Sequence, residues 1–395
     1  MQDRGISRRG LLRAGLIGAC SVAAHPLLST MTLAATPGDA RLVVIILRGA
    51  MDGLDVVRPV GDPLLAGYRA TLLGSAGEAI DLDGYFAMHP KLAGLHPLWQ
   101  AGELGFAHAV STPYRDKRSH FDGQDLLEAG TGMDVALAAQ RGGWLNRLLQ
   151  VVPGTSSETA FAIGNDDMNI LGGSAPASRW SPEVDIDLTP QAELLLNHIY
   201  APDPQFAPAA AQALKLASLI DQANLPKLAN GDRREPLAAF AASRLNEATR
   251  IAAYSLTGWD THQGQKNGIG RALNTLERSV LSLREGLGAN WGKTLVLAMT
   301  EFGRTVAENG THGTDHGTGG AMVMAGGALR GGHVYGQWPG LAEADLYQRR
   351  DLMPTMDVRA FAAWALRGLY GIDRATLEAE IFPGLTMGAD PVILA

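Results

Sequence analysis

The sequence predicts an α/β protein whose central sheet is mostly parallel and carries helices on both faces. Apolar runs such as "RLVVIILRG" (41–49) and "KTLVLAMT" (293–300) lack polar alternation, which is typical of strands covered on both faces. Segments with helical periodicity lie between these runs, and such alternation favours parallel pairing. The 48 glycines and the charged fraction of 18% fit a globular chain with many turns.

The other elements follow in chain order. Further strands are predicted at 103–110, 160–164, 251–256 and 321–329. Helices are predicted from an N-cap at Ser119, over 142–152, over 268–288 and from about Asp357 to Tyr370. An alanine- and leucine-rich stretch from about 190 to 250 predicts a helical segment. With a length of 395 residues, the chain is expected to form one large domain over 36–395.

Residues 1–35 differ from the rest. Paired arginines, Arg8 and Arg9, precede a mildly apolar stretch that ends in small residues, and this resembles a twin-arginine export signal. The resemblance predicts export by the twin-arginine translocation machinery to the periplasm or the medium. An amphipathic N-terminal helix is the alternative interpretation. The stretch is too weakly apolar for a convincing membrane span, and none is expected in the mature chain.

The single cysteine, Cys20, lies within that signal. Cleavage after about residue 35 would leave a mature chain without cysteine, which excludes disulfides and thiolate chemistry. A lipid anchor on Cys20 is a minor alternative. The formal net charge of -7 does not suggest a nucleic-acid surface, so small molecules and metal cations are the expected partners.

Polar side chains recur directly after the predicted strands. Ligands of parallel α/β sheets bind beyond the carboxyl ends of the strands, so these residues are the candidate site. They are Asp52, Asp260, His262, Glu301, Arg304, Asp315 and His316.

So many carboxylate and imidazole groups at strand ends predict two adjacent divalent cations. Oxygen and nitrogen ligands without thiolate suit zinc, manganese, calcium or magnesium, and the sequence does not distinguish them. In "GTDHGTGG" (313–320), the glycines would let the backbone turn tightly and bring Asp315 and His316 to one ion.

A nucleophile and its helpers are sought near the helix that begins after Ser119. A helix N-terminus stabilises an anionic oxygen, so Ser119 is the candidate nucleophile, with His120 beside it as a ligand or an acid. A simple N-cap role for Ser119 predicts the same sequence. Arg115 and Arg304 are candidate clamps for phosphoryl or sulfuryl oxygens. "STPYR", beginning at Ser111, weakly resembles the sulfatase signature whose first residue becomes formylglycine.

Seven segments together resemble one known family. They are "LRGAMDGLD", "SHFDGQDLLEAG", "GWLNRLL", "GWDTHQGQ", "TEFGRTVAENG", "GTDHGTGGAMVMAGG" and "GGHVYGQWPGL". In this order they resemble a twin-arginine-exported bacterial family known as domain of unknown function 1501, which is grouped with the alkaline phosphatase and sulfatase superfamily. The resemblance implies an alkaline phosphatase-like fold and a two-metal hydrolase. The family usually has a second glycine where this chain has Ala50.

The superfamily resemblance also implies two ligand groups. The first falls on Asp52, Asp315 and His316. The second falls on Asp260 and His262, with His333 as a late histidine. The gap from Asp260 to His262 is shorter than usual. An alternative alignment makes Glu301 a ligand and His316 the late histidine.

Two functions from different classes therefore stand at this stage. The first is an exported metal-dependent hydrolase that cleaves small or polymeric phosphate or sulfate esters by in-line displacement. The second is an exported binding or assembly protein that keeps the fold, with or without a metal ion, and lacks turnover.

Overall fold

The computed structural model describes residues 38–73, 79–133, 142–181, 199 and 235–395. The predicted export signal with Cys20 lies outside the described residues, as does most of the helical segment predicted at about 190–250. The described end of that segment is a helix, Pro236–Leu245.

Strand bounds agree closely with the apolar runs. The strands are β1 Arg41–Leu47, β2 Val57–Arg58, β3 Ile80–Asp81, β4 Ala87–Met88, β5 Leu104–Ser111, β6 Ala160–Ile163, β7 Ser178–Trp180, β8 Ile251–Leu256, β9 Thr294–Met299, β10 Gly320–Ala325, β11 Val334–Tyr335 and β12 Met356–Asp357.

The helices alternate with these strands. The α-helices are α1 Gly53–Val56, α2 Leu65–Tyr68, α3 His96–Gln100, α4 His120–Ala129, α5 Trp144–Val151, α6 Pro236–Leu245, α7 Gln265–Leu287, α8 Val358–Tyr370 and α9 Arg374–Thr376. Short 3₁₀ turns cover Pro90–Leu95, Asn169–Leu171, Gly288–Lys293 and Glu343–Asp345, and a π turn covers Leu377–Ile381. Ser119 caps α4, as predicted, and Asp357 caps α8, which matches the helix predicted from about Asp357 to Tyr370.

Among the described residues, nine strands form one large sheet and three form a small one. The order in the large sheet is β11-β5-β10-β9-β1-β8-β6-β7, with β12 also paired to β5. All of its pairings are parallel except those of β10, which runs antiparallel to both β5 and β9. The predicted α/β class with a mostly parallel central sheet is therefore confirmed.

Alternate residues of β1 face opposite sides of the sheet, and each side packs against helices. Val43 and Ile45 belong to a core that includes residues of α6 and α7. Leu42 and Val44 belong to a second core with residues of α5 and α8. Helices thus cover both faces, as a buried parallel sheet requires. In the described part of the chain, no helix combines the length and apolarity needed to cross a bilayer.

The direction of β10 determines where its flanking residues lie. Because β10 is antiparallel to β5 and β9, its amino end lies at the edge where the parallel strands have their carboxyl ends. The loop before Gly320 therefore reaches the same edge as the loops after β1, β5, β8 and β9. This edge carries the candidate site.

Candidate metal centre

Four side chains from three loops converge at the carboxyl edge of the sheet. We call them the imidazole–carboxylate cluster: His120, Asp260, His262 and His316. His120 is the first residue of α4, Asp260 and His262 follow β8, and His316 precedes β10. The ligand atoms of His120, Asp260 and His316 all lie within 4.8 Å of one another.

One carboxylate oxygen forms the middle of the cluster. Oδ1 of Asp260 is 3.1 Å from Nε2 of His262 and 3.4 Å from Nε2 of both His120 and His316. The Nε2 atoms of His262 and His316 are themselves 2.9 Å apart. Three imidazole nitrogens therefore face one anionic oxygen.

Each imidazole is held from behind by an oxygen that accepts from Nδ1. His120 Nδ1 donates to Glu301 Oε1 at 2.7 Å, and His262 Nδ1 donates to Asp315 Oδ1 at 3.3 Å. His316 Nδ1 donates to the carbonyl of Arg118 at 2.9 Å. An outer oxygen of this kind fixes the ring and the tautomer of a metal-binding histidine.

This arrangement leaves the Nε2 atoms as the metal-facing atoms. Because each Nδ1 carries the proton, each neutral ring has its lone pair on Nε2, directed towards Asp260. Nε2 of His120 is buried and has no hydrogen-bond partner. The short distance between the Nε2 atoms of His262 and His316 leaves room for at most one proton between them.

Burial and neighbouring charges shift the pKa values of His120 and His316 in opposite directions. The hydrogen bond to Glu301 raises the pKa of His120. Burial lowers the pKa of His316, and the nearby charges of Arg304, His120 and His262 lower it further. Protonation is therefore favoured at His120 and disfavoured at His316.

The carboxylates of the site are held in the ionised form. Partial burial would raise the pKa of Asp260, but the hydrogen bond and charge of Arg304 outweigh it, so that pKa is lowered. The hydrogen bond from Asn309 lowers the pKa of Asp315. Desolvation of Glu301 is outweighed by hydrogen bonds, first of all from His120, and its pKa is lowered too. The site is thus rich in negative charge, as a cation site requires.

The buried guanidinium of Arg304 holds Asp260 of the cluster in place. Its Nη2 donates to Asp260 Oδ1 at 2.5 Å, and its Nε donates to the carbonyl of Ala50 at 2.8 Å. Further bonds reach the carbonyls of Gly49, Trp259 and Thr314, and the side chain is fully buried. The structure therefore places Arg304 as a support for Asp260, away from the position of a substrate clamp.

Glycines allow the loops of the cluster to touch. A Cβ on Gly313 would lie 2.3 Å from the backbone carbonyl of His262, and a Cβ on Gly317 would lie 2.4 Å from that of Arg304. Any larger residue would separate these segments. The glycine-rich run thus lets the backbone before His316 lie directly against the loop that carries Asp260 and His262.

The donor set fits a divalent transition metal. Three imidazole nitrogens and one carboxylate oxygen are ligands typical of zinc, whereas calcium and magnesium prefer oxygen ligands throughout. The set contains no thiolate, as predicted. The residues that could hold the ion are His120, Asp260 and His316, and His262 lies beside them, with its Nε2 close to Asp260 and His316.

Two residues predicted as ligands lie elsewhere. Asp52 is buried; its Oδ2 accepts from Arg69 and Gln265, and its Oδ1 accepts from Arg69 and the amide of Leu54. His333 is exposed beside β11, and its carbonyl bonds to Phe106 in the first half of β5, away from the carboxyl edge. The structure therefore does not bring either residue to the cluster.

Other predicted residues contact the cluster indirectly. Glu301 and Asp315 hold His120 and His262 from behind. Ser119 directly precedes His120, and its Oγ accepts a long 3.4 Å bond from the amide of Asp122.

Arg115 and Ser111 are occupied by their own loop. Arg115 donates to Ser111 Oγ and to the carbonyls of Thr112 and Tyr114. Ser111 is buried and donates to the carbonyl of Thr112. The structure therefore shows neither side chain directed into the cluster.

Sequence reasoning missed three supporting residues, namely Arg69, Gln265 and Asn309. Asn309 donates to Asp315 Oδ1 at 3.0 Å and to the carbonyl of His262 at 3.0 Å. Its position before Gly310 reads as an ordinary turn, so no sequence signal distinguishes it. Gln265 follows the "DTHQG" segment closely, and that proximity is the signal that could have marked it.

The fold and the cluster define an α/β protein with a candidate metal site at the carboxyl edge of its sheet. The chain belongs to the family described as protein of unknown function (DUF1501), whose model matches residues 101–377. None of the curated proteins compared with the chain matches it.

Solved structures show remote similarity to the chain. The lipoteichoic acid synthase LtaP from Listeria monocytogenes is 9% identical with a TM-score of 0.41, over 88% of this chain and 76% of its own. A protein in the alkaline phosphatase superfamily from Vibrio parahaemolyticus is 10% identical with a TM-score of 0.34, over 88% and 71%. The C-terminal periplasmic domain of EcEptC from Escherichia coli, in complex with zinc, is 11% identical with a TM-score of 0.34, over 74% of each chain.

Proposed function

We propose that the chain is an exported metal-dependent hydrolase of phosphate or sulfate esters. The observation that carries this proposal is the convergence of three imidazole Nε2 atoms on Oδ1 of Asp260. The ester class comes from the resemblance of the sequence motifs to the alkaline phosphatase and sulfatase superfamily. A divalent ion, when bound, would polarise an ester oxygen and stabilise negative charge on it.

The cluster is accessible from solvent, which a hydrolase requires. The side chains of Asp260 and His262 are 46% and 42% exposed. His120 and His316 lie deeper and are held more tightly by their outer acceptors. A substrate would therefore approach from the side of Asp260 and His262, with Arg304 buried behind them.

Ser119 is the proposed nucleophile. It lies next to His120 at the amino end of α4, where the helix dipole favours an anionic oxygen. Its Oγ accepts a long bond from the amide of Asp122, and its side chain also hydrogen-bonds to Tyr114, so the hydroxyl would have to leave Tyr114 to attack. A water molecule is the alternative nucleophile. Arg115 would have to leave its bonds to Ser111 and to the carbonyls of Thr112 and Tyr114 before it could contact the equatorial oxygens.

A binding or assembly protein without turnover is the second candidate. The observation that favours it is the position of His262 beside the three-residue group, because a fourth protein ligand would complete a tetrahedral zinc site and leave no open position. In that case the ion would stabilise the edge of the sheet. A catalytic site would need a fifth position or a displaced ligand.

Metal loading and an ester panel separate the two candidates. Purified chain is dialysed against zinc and then assayed on aryl phosphate, phosphodiester and sulfate ester substrates, before and after chelation. The hydrolase predicts turnover that chelation abolishes and zinc restores. Bound zinc without turnover on any ester supports the binding protein. A chain that binds no metal contradicts both the catalytic and the structural metal site.

Export by the twin-arginine route remains part of the proposal. It rests on Arg8 and Arg9 and the small residues near position 35. Replacing both arginines with lysine should hold the precursor in the cytoplasm. Unchanged secretion of that variant would contradict the assignment.

A further inference from the structure

We propose that the buried side chain of Arg69 occupies the place of a second cation, so that the chain binds one metal ion where the superfamily resemblance implies two. This inference rests on the proposed metal centre and concerns how many ions it holds. It starts from Asp52, the carboxylate that follows the central strand β1 and that the resemblance assigns to a metal.

Asp52 has no oxygen available for an ion. Its Oδ2 accepts from Arg69 Nη1 at 2.5 Å and from Gln265 Nε2 at 2.6 Å. Its Oδ1 accepts from Arg69 Nη2 at 3.1 Å and from the amide of Leu54 at 3.2 Å. Four donors occupy the two oxygens of a carboxylate that is 1% exposed. The residue therefore does not fit the role of a ligand.

Arg69 supplies the compensating positive charge permanently. Its side chain is 1% exposed, and it is fixed by bonds from Nε to the carbonyl of Val306 and from Nη2 to that of Thr305, at 2.5 and 2.7 Å. A guanidinium does not lose its proton under ordinary conditions. The positive charge that compensates the Asp52 carboxylate therefore belongs to a side chain of the protein and does not depend on a bound ion.

The ion pair is connected to the cluster through one glutamine. Gln265 donates to Asp52, and its Oε1 accepts from the hydroxyls of Thr261 at 2.9 Å and Thr314 at 2.7 Å. Thr261 lies between Asp260 and His262 in the chain. The Arg69–Asp52 pair thus lies behind the loops of the cluster.

The two ligand groups implied by the resemblance are merged in this structure. Asp260 and His316, which come from different groups, share a single centre together with His120, and His262 lies beside it. Asp315 contacts His262 through Nδ1, so it acts from behind the ring. Asp52 and His333 lie outside. One ion satisfies the cluster, and the Arg69–Asp52 pair replaces the other.

The number of bound ions tests the inference directly. Zinc-saturated chain, freed of excess zinc, is measured by elemental analysis and by X-ray absorption. We expect one zinc per chain and no second metal at the separation of about 3.5–4 Å that is typical of two-metal sites. Two zinc ions per chain, or a metal–metal signal at that distance, would overturn the inference. A chain without zinc would instead overturn the proposed function.

Two variants locate the ion. Asp260→Asn should lose zinc, whereas Asp52→Asn should keep one zinc per chain, although it is less stable. Loss of zinc from a folded Asp52→Asn protein would show that Asp52 is a ligand and would refute the inference. If the single variant does not fold, Asp52→Asn combined with Arg69→Met removes both buried charges together and is measured in its place.

Discussion

The Nε2 atoms of His262 and His316 lie 2.9 Å apart, although 54 residues separate the two histidines in the chain. With a proton on each Nδ1, both rings direct lone pairs towards each other and towards Asp260. A shared cation would remove that repulsion. This relationship defines the site more sharply than any single motif does.

Removing one of these rings should weaken metal binding strongly. We expect His316→Ala to weaken zinc binding at least about a hundredfold, because the ion loses one of the three ligands His120, Asp260 and His316. Competition with a chromophoric chelator measures the affinity. His333→Ala is the matched control, since His333 is exposed and lies away from the carboxyl edge. Equal zinc loss in both variants would contradict the assignment of the cluster.

Glu301 accepts the Nδ1 proton of His120, and removing its charge should weaken zinc binding without abolishing it. Glu301→Gln keeps the shape of the side chain but removes its charge, and Glu301 Oε1 also accepts from the amides of Gly49 and Ala50. We expect zinc affinity to fall about 10- to 100-fold, as for other outer partners of metal-bound histidines. Isothermal titration measures it, and an unchanged affinity would show that His120 is not a ligand.

The strand-end residues were predictable because their position depends only on local apolar runs and on a general property of parallel sheets. Asp260, His262, Glu301, Asp315 and His316 were all assigned to one edge of the sheet, and they lie there. The antiparallel direction of β10 was not predictable, because "GAMVMA" has the same pattern in either direction. That direction is what brings His316 to the edge from the amino end of its strand.

The role of Asp52 could not be inferred from the sequence. Its partner, Arg69, lies 17 residues further along the chain, and the pairing depends on the path of the intervening backbone. His120 was considered as a ligand or an acid only because it adjoins Ser119. Its outer partner, Glu301, is 181 residues away. Contacts between distant loops are set by tertiary packing, which no local pattern encodes.

The close approach of the loops predicts that alanine substitutions at two glycines have very different effects on the free energy of unfolding. Gly313→Ala places a Cβ 2.3 Å from the backbone of His262, so we expect a loss of at least about 2 kcal/mol in the free energy of unfolding, together with loss of zinc. Gly310→Ala meets no atom within 4 Å and should change that free energy by less than about 0.5 kcal/mol. Urea unfolding measures both. Similar values for the two variants would contradict the packing.

Ser119→Ala tests the proposed nucleophile. If Ser119 attacks the ester, turnover should fall at least a hundredfold while zinc content stays the same. The cap contributes little, because the bond to the amide of Asp122 is long, so we expect less than about 1 kcal/mol of lost stability. Steady-state rates on the best ester are compared with the wild type. An undiminished rate would assign the attack to water.

His108 should make the fold sensitive to mild acid. Burial lowers its pKa to about 4, and both ring nitrogens are used in the neutral form, Nε2 towards the carbonyl of Val57 and Nδ1 towards the amide of Ala109. The unfolded chain takes up this proton near pH 6.5, so the free energy of unfolding falls as the pH drops from about 6.5 to about 4, by an amount on the order of 3 kcal/mol.

Urea unfolding of chelator-treated protein at several pH values in that range measures the slope, and His108→Gln removes the contribution of this ring alone. Because the substitution changes no other titratable group, including His89, whose pKa burial also lowers to about 4, the difference between the two slopes isolates His108. A variant with the same slope as the wild type would show that His108 is not held neutral by the fold.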